Sequence, residues 1–301
     1  LTRSSAASDV YKRQVNATAL ASIFEEYYEQ IGLAVEDLPY KSLWHSLGTG
    51  ATVTNYGSNL EEYSIASYMG RINYGFDDKY LLTLTGRYDG ASQLAEGNKW
   101  AFFPSAAIGW RLSEESFIQD LGVFNNLKLR VSYGEVGNNA SISPYATQAN
   151  IFQTYYDFDG TPSLGYTINA LSNQGIVWER SKEINVGLDF SLSDLPISGT
   201  VEYYKRNTED LILDDKVPNS TGFNNVLGNV GEIENSGIEV SLNSVNVSTG
   251  DFRWTSNLTF TANDDKVVKL AGGLTEDVGN ARFVGESVRA YYTYKFEGIW
   301  Q

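Results

Sequence analysis

The chain is predicted to be all-β, a succession of antiparallel strands built to close as a barrel. Three observations carry this. Short segments alternate apolar and polar residues: Tyr80, Leu82, Leu84, Gly86 and Tyr88 share one parity, and Leu81, Thr83, Thr85, Arg87 and Asp89 the other. A strand sends successive side chains to opposite faces, so such a segment has one apolar and one polar face. Runs of Gly, Asn, Asp and Ser separate these segments, and a long antiparallel sheet hides its edges by closing on itself. Finally, no apolar run reaches the roughly 18 residues of a membrane-crossing helix, while aromatic residues make up 13% of the chain. Tyr and Trp favour sites that are wet at one end and dry at the other, as in the girdles of a membrane barrel.

Residues 1–14 are polar and patternless and read like a translated adaptor, so they are expected to be a non-native or artefactual tail. Residues 19–33 are the best helix candidate, with Leu20, Ile23, Phe24, Tyr27 and Ile31 at near-helical spacing. Residues 39–63 are rich in Gly, Ser and Thr and read as a loop. Together, 15–62 are expected to be a periplasmic or extracellular loop or a helical insertion, and 63–301 the barrel portion. Strands follow at 63–76, where Ala66, Tyr68, Ile72 and Tyr74 oppose Ser67, Arg71 and Asn73, and at 79–89 after the Asp77-Asp78 turn signal. Further strands are read at 101–112 (Phe102, Ala106, Ile108, Trp110) and 125–134 (Leu127, Leu129, Val131, Tyr133). After a long aromatic and Asn-rich stretch, 135–180, alternation resumes at 181–192 and 197–207. A second Asn- and Gly-rich loop is expected near 210–235, a hairpin at 237–247 and 252–263, and a last strand at 290–300. Short turns at one end and long loops at the other favour a membrane barrel over a soluble sandwich.

Composition excludes several functions. A formal charge of -15 argues against nucleic acid as a partner, because phosphate binding needs clustered Lys and Arg. No Cys means no disulfide framework and no thiolate metal site, and the single His, His45, cannot build a His-rich one. Gly48-Thr49-Gly50 lacks the spacing of a phosphate loop. Asp157-Phe158-Asp159-Gly160 lacks the remaining ligands of a calcium loop. No catalytic residue, metal or cofactor is expected.

The residues in order then resemble a known family. Ser67-Tyr68-Met69-Gly70-Arg71-Ile72-Asn73-Tyr74, then Gly86-Arg87-Tyr88-Asp89-Gly90-Ala91-Ser92, Trp100-Ala101-Phe102-Phe103-Pro104-Ser105 and Leu127-Lys128-Leu129-Arg130-Val131-Ser132-Tyr133-Gly134 are similar to the SusC/RagA family of TonB-dependent outer-membrane transporters. Asn185-Val186-Gly187-Leu188-Asp189, Tyr203-Tyr204-Lys205-Arg206-Asn207 and Asn235-Ser236-Gly237-Ile238-Glu239 continue the series. The resemblance implies an antiparallel transmembrane β-barrel, present here in part. Full-length relatives close about 22 strands around an N-terminal plug, which the resemblance leads one to expect outside this stretch of sequence. It further implies no enzyme activity, import of oligosaccharides or peptides, a SusD-like surface lipoprotein as lid, energy from the TonB complex, and the cell outer membrane as location. The alternative is a soluble β-rich carbohydrate-binding protein or glycosidase, in which the apolar parity would face a packed interior.

Two residue sets are singled out within this frame. Arg71, Arg87, Asp89, Arg130, Glu183, Asp189 and Glu202 lie on the polar parity and are candidates to line the lumen, touching plug or substrate or pairing across strands. Tyr155, Tyr156, Phe158 and Tyr166 are candidates to stack on substrate, or else pack within a long loop or against the lid protein.

Overall fold

The computed structural model describes residues 12–38, 47–168 and 170–298. Its strands are β1 (Arg13–Glu36), β2 (Thr52–Phe76), β3 (Tyr80–Ala91), β4 (Trp100–Arg111), β5 (Phe124–Asn138), β6 (Ile151–Phe158), β7 (Thr161–Ile168), β8 (Glu179–Leu192), β9 (Ile197–Lys216), β10 (Asn225–Ser248) and β11 (Arg253–Lys269), with a two-residue pair, β12 (Glu276–Asp277) and β13 (Arg282–Phe283). A 9-stranded antiparallel sheet takes the order β1-β2-β3-β4-β5-β8-β9-β10-β11, and β6 and β7 form their own hairpin. Among the described residues β1 and β11 do not pair, so the sheet is an open arc.

Several expected elements differ. Residues 19–33 are not helical but lie inside β1, which pairs with β2 from Arg13↔Phe76 to Glu36↔Thr52. The helix-like spacing arises because apolar residues occupy both faces: Leu20 and Phe24 on one, Ile23, Tyr27 and Ile31 on the other. Ala and Glu favour a helix locally, but continuous pairing with a neighbouring strand outweighs that preference. Arg13 and Gln14, expected in the tail, begin β1, while residues 1–11 lie outside the described residues. The expected loop at 39–63 is strand from Thr52 onward, and 39–46, with His45, lie outside the described residues. The expected loop at 210–235 is mostly strand. Register shifts at Asn229/Gly231 and Gly231/Ile233 hid its alternation. Residues 290–298 form no strand, and 299–301 lie outside the described residues.

Two turns show why their residues suit them. Asp77 and Asp78 have φ of 54° and 55°, and the Lys79 N–H donates to the Phe76 carbonyl at 3.0 Å. That is a type I′ hairpin turn, whose twist matches the flanking strands. Asp159 (φ 55°) and Gly160 (φ 77°) repeat it between β6 and β7, which accounts for the calcium-loop likeness.

The register aligns like with like across the sheet. One row runs Val15, Tyr74, Leu82, Ile108, Val131, Val186, Tyr203, Ile238, Ala262. The adjacent row runs Asn16, Asn73, Thr83, Ala107, Ser132, Asn185, Tyr204, Gly237, Asn263. The apolar rows form a band bounded by aromatics. At the short-turn edge Phe76, Tyr80 and Trp110 stack at centroid distances of 6.3 and 6.2 Å. At the other edge Tyr88 stacks on Trp100 at 4.9 Å and Tyr68 on Trp100 at 6.0 Å.

The band runs diagonally. On β3 it extends from Tyr80 to Tyr88; on β11 it extends from Trp254 to Ala262, which shares a row with Leu82. Both edges thus slide toward the short turns by about six residues over about six strand spacings. At ~3.4 Å per residue and ~4.8 Å per strand, this is a strand tilt of ~35°. Beyond the upper edge the same parity becomes charged, with Glu135, Lys182, Glu234 and Lys266 in one register row.

The buried core sits at the long-loop end on the polar side. Ala101 and Phe103 of β4 and Ile212 of β9 meet Leu94, Ile142, Ile176 and Trp178 from the connections. Phe103 packs edge-on to Trp178 at 5.7 Å, and the Trp178 indole N–H donates to the Lys99 carbonyl at 2.9 Å. The connection 92–99 and the two flanks of the second connection, 139–148 and 173–178, are therefore folded onto the sheet, while β6 and β7 between those flanks pair with each other.

Candidate functional site

The polar face of the sheet gathers the charged residues that alternation assigns to it. Arg130, on β5, meets Asp189 of β8 and Glu202 of β9. Its Nε and Nη2 donate to both Asp189 oxygens at 2.9 Å, and Nη2 also donates to Glu202 at 2.5 Å. Gly187 lies beneath, where a Cβ would fall 2.9 Å from the Arg130 Nη2, so the guanidinium needs a glycine there to lie flat across the strand. A bidentate fork on one carboxylate with a second beside it fixes the side chain and leaves the trio with net negative charge.

The other predicted polar-face residues are also engaged. Arg206 donates to Glu183 at 2.7 Å across β8 and β9. Arg87 donates to Asp89 at 2.7 Å and to Ser67 at 3.1 Å. Arg71 donates to Thr85 at 3.1 Å. All seven lie on the face opposite Leu82, Leu84, Ile108, Leu129 and Val131. Beside the Arg206 pair, Asn185, Glu202, Tyr204 and Asn235 line a polar cleft of about 520 Å³.

The four predicted aromatic residues are split by their hairpin. Tyr155 pairs opposite Leu164 and Tyr166 opposite Gln153, which puts those two rings on one face. Tyr156 pairs opposite Ser163 and Phe158 opposite Thr161, which puts them on the other. Tyr155, Phe158 and Tyr166 are 67%, 67% and 66% exposed. Tyr156 instead lies over Gly165 of the partner strand, in the space a Cβ would fill.

Sequence reading missed two features of the rim. One is a cleft of about 630 Å³ between the β1–β2 ribbon and the start of the long connection, lined by Glu26, Tyr28, Glu61, Tyr63, Gln93 and Ser141. The alternation of Val15, Ala17, Ala19, Ala21 and Ile23 with polar Asn16, Thr18 and Ser22 was the available signal that β1 is a strand. The other is Glu179, buried at 5% exposure. Its carboxylate accepts from the Ile212 N–H at 2.9 Å and from Asn138 Nδ2, tying the end of the long connection to β5 and β9. No local pattern marks a residue whose partners are this distant in sequence. Among the described residues no group of three or more His, Cys, Asp or Glu is arranged to hold a metal.

Comparison with known proteins adds the following. A family model described as TonB dependent receptor-like, beta-barrel matches residues 7–301. The chain is 39% identical over 282 residues to TonB-dependent receptor P26 of Formosa agariphila, covering 91% of this chain and 28% of that protein. It is 34% identical over 253 residues to TonB-dependent receptor SusC of Bacteroides thetaiotaomicron, covering 77% of this chain and 25% of that protein. Its fold matches the RagAB peptide importer in the closed-closed state with a TM-score of 0.81 at 26% identity, over 91% of this chain and 31% of that one. The chain thus spans less than a third of the length of these relatives.

Proposed function

The chain belongs to the TonB-dependent receptor-like β-barrel family, and from that premise we propose that it forms part of the wall of an outer-membrane nutrient importer. The family is one of receptors and transporters, not enzymes, and its barrels are outer-membrane proteins. A soluble carbohydrate-binding protein or glycosidase finds no support in these likenesses. In the proposed arrangement the apolar rows face lipid, and Arg71, Arg87, Asp89, Arg130, Glu183, Asp189 and Glu202 face the lumen. The observation that carries this reading is the diagonal apolar band. Its ~35° slope lies at the lower end of the strand tilts of membrane barrels, and aromatics bound it as girdles do. A soluble sandwich has no reason to confine apolar residues to a tilted belt.

The proposed substrates are oligosaccharides or peptides. RagAB is a peptide importer, and SusC is the relative whose family this sequence resembles. A SusD-like lipoprotein would close the long-loop end, and TonB would supply energy through a plug other than these strands. The β6–β7 hairpin supports a substrate-contact role for one face at a time, Tyr155 with Tyr166 or Tyr156 with Phe158.

Single-cysteine labelling of the full-length protein in outer-membrane vesicles tests the facing. Val131→Cys is expected to react with a lipid-partitioning maleimide and resist a charged water-soluble one. Ser132→Cys, one residue on, is expected to behave oppositely. The reverse pattern, or equal reaction of both with the charged reagent, would overturn the proposal.

A further inference from the structure

The connection between β4 and β5 is unlike the other turns at its end of the sheet. Between β2 and β3 the chain reverses in a tight turn, whereas 112–123 run through a 3₁₀ turn (Leu112–Glu114) and a helical turn, α1 (Ser116–Gln119). Glu115, between them, is held by three donors. The Tyr80 hydroxyl reaches it at 2.7 Å, the Trp110 indole N–H at 3.1 Å and the Lys79 ammonium at 3.2 Å. The hydrogen bonds from Tyr80 and then Trp110 keep its carboxyl below the usual carboxylate range. Tyr80 and Trp110 are apolar-face residues at the short-turn edge of the band. Their grip on Glu115 draws the connection toward that face rather than beneath the polar one.

What the connection then presents is apolar. Phe117 is 56% exposed, Leu121 59% and Val123 46%, while Ile118 is half-buried. α-Helical hydrogen bonding runs through to Asp120, with the Gln119 N–H donating to the Glu115 carbonyl and the Asp120 N–H to the Ser116 carbonyl, both at 2.9 Å. Phe117 and Leu121, four residues apart, therefore lie on one side of the turn. Residues 112–123 contain Glu114, Glu115 and Asp120 and no Lys or Arg. Whatever covers this patch is held by apolar contact, not by attraction to an anionic surface.

We infer that 112–123 is an interfacial anchor whose Phe117 and Leu121 side chains insert into the phospholipid leaflet at the short-turn boundary, with Glu115 as the positioning residue. The occupant follows from continuity: the patch extends the Phe76–Tyr80–Trp110 edge of the apolar band, so what meets that edge also meets the patch. The inference rests on the proposed reading that the band faces lipid. Interfacial amphipathic helices sit with their apolar side roughly 5–10 Å into the headgroup and acyl boundary, and a comparably shallow depth is expected of Phe117 and Leu121.

The test uses full-length protein in phosphatidylethanolamine vesicles without anionic lipid, carrying an environment-sensitive fluorophore at Leu121→Cys or, separately, at Ile108→Cys. Lipids with a nitroxide near the headgroup or near the bilayer centre serve as quenchers. Leu121 is expected to be quenched by the shallow probe more than by the deep one. Ile108, inside the band, reports on the underlying reading: absence of quenching there overturns that reading and the anchor together. Quenching at Ile108 with none at Leu121 overturns the anchor alone. Glu115→Ala is expected to abolish the Leu121 quenching and spare that of Ile108. Glu115→Gln, which still accepts from Tyr80 and Trp110, should restore part of it. Leu121 quenching unchanged in Glu115→Ala would refute the positioning role.

Discussion

Replacing Leu84 by arginine is expected to destabilise the folded protein in a bilayer by about 2–4 kcal/mol, the cost of a cationic side chain on the lipid face at mid-depth. Leu84 is 46% exposed on the apolar face. Tyr80 and Tyr88, at the two edges of the band, bracket it four residues away on either side. At ~3.4 Å per residue and ~35° of tilt, each edge lies ~11 Å away along the membrane normal. That depth places Leu84 near the middle of an apolar band about 25 Å tall, where snorkelling brings least relief. Thr83→Arg is the matched control, one residue away on the polar face. It sacrifices the hydrogen bond from Thr83 to Asn73 at 2.9 Å, a loss of about 1 kcal/mol. Equilibrium unfolding of the full-length protein from vesicles in guanidinium measures both. Leu84→Arg should shift the folded-to-unfolded ratio by roughly 30- to 900-fold and Thr83→Arg by less than about tenfold. Equal costs, or a larger cost at Thr83, would refute the assignment of the apolar face to lipid.

Four further outcomes are expected. The Phe103 ring fills the space a Cβ would need at Gly137, so Gly137→Val should cost about 1–3 kcal/mol through displaced packing. Gly70→Ala, where nothing lies within 4 Å of the new atom, should leave the guanidinium unfolding midpoint nearly unchanged in the same assay. Glu179→Ala leaves the Ile212 N–H and the Asn138 amide without their carboxylate. It should cost about 1–3 kcal/mol and expose 139–178 to protease, and unchanged protection would count against that role. Glu115 has its carboxyl lowered from the ordinary 4.5 by Tyr80, Trp110 and Lys79, so its contribution is complete above that value and fades as pH falls through the lower folded one. Leu121 quenching should therefore hold from neutral pH to about 4.5 and weaken only below it; weakening near pH 6 would assign the change to another group.

The strands that were legible in the sequence share one property: a single face is apolar. The strands β3, β4, β5 and β8 lie within a few residues of their expected bounds because Leu82, Ile108, Val131 and Val186 alternate cleanly with Thr83, Ala107, Ser132 and Asn185. The β1 strand defeated the same reading because Leu20 and Phe24 break the polar parity, and Ala and Glu supply a competing helical preference. The start of β10 was lost because each bulge at Asn229–Ile233 shifts the parity. The candidate site divides in the same way. Membership of the polar face was legible for all seven charged candidates, whereas the separation of Tyr155 and Tyr166 from Tyr156 and Phe158 depended on which residues pair across the hairpin.

In the strands that alternate cleanly the sequence by itself determined the face each side chain takes, because alternation follows from the local geometry of an extended backbone. Only the tertiary structure decided which strands meet and at what register, because those contacts join residues far apart and are set by the packing of whole faces. Arg130 reaches Asp189 and Glu202 across separations of 59 and 72 residues, and Tyr80 finds Glu115 across 35. The slope of the apolar band is likewise a property of register. No single strand contains it, because a tilt exists only between neighbours.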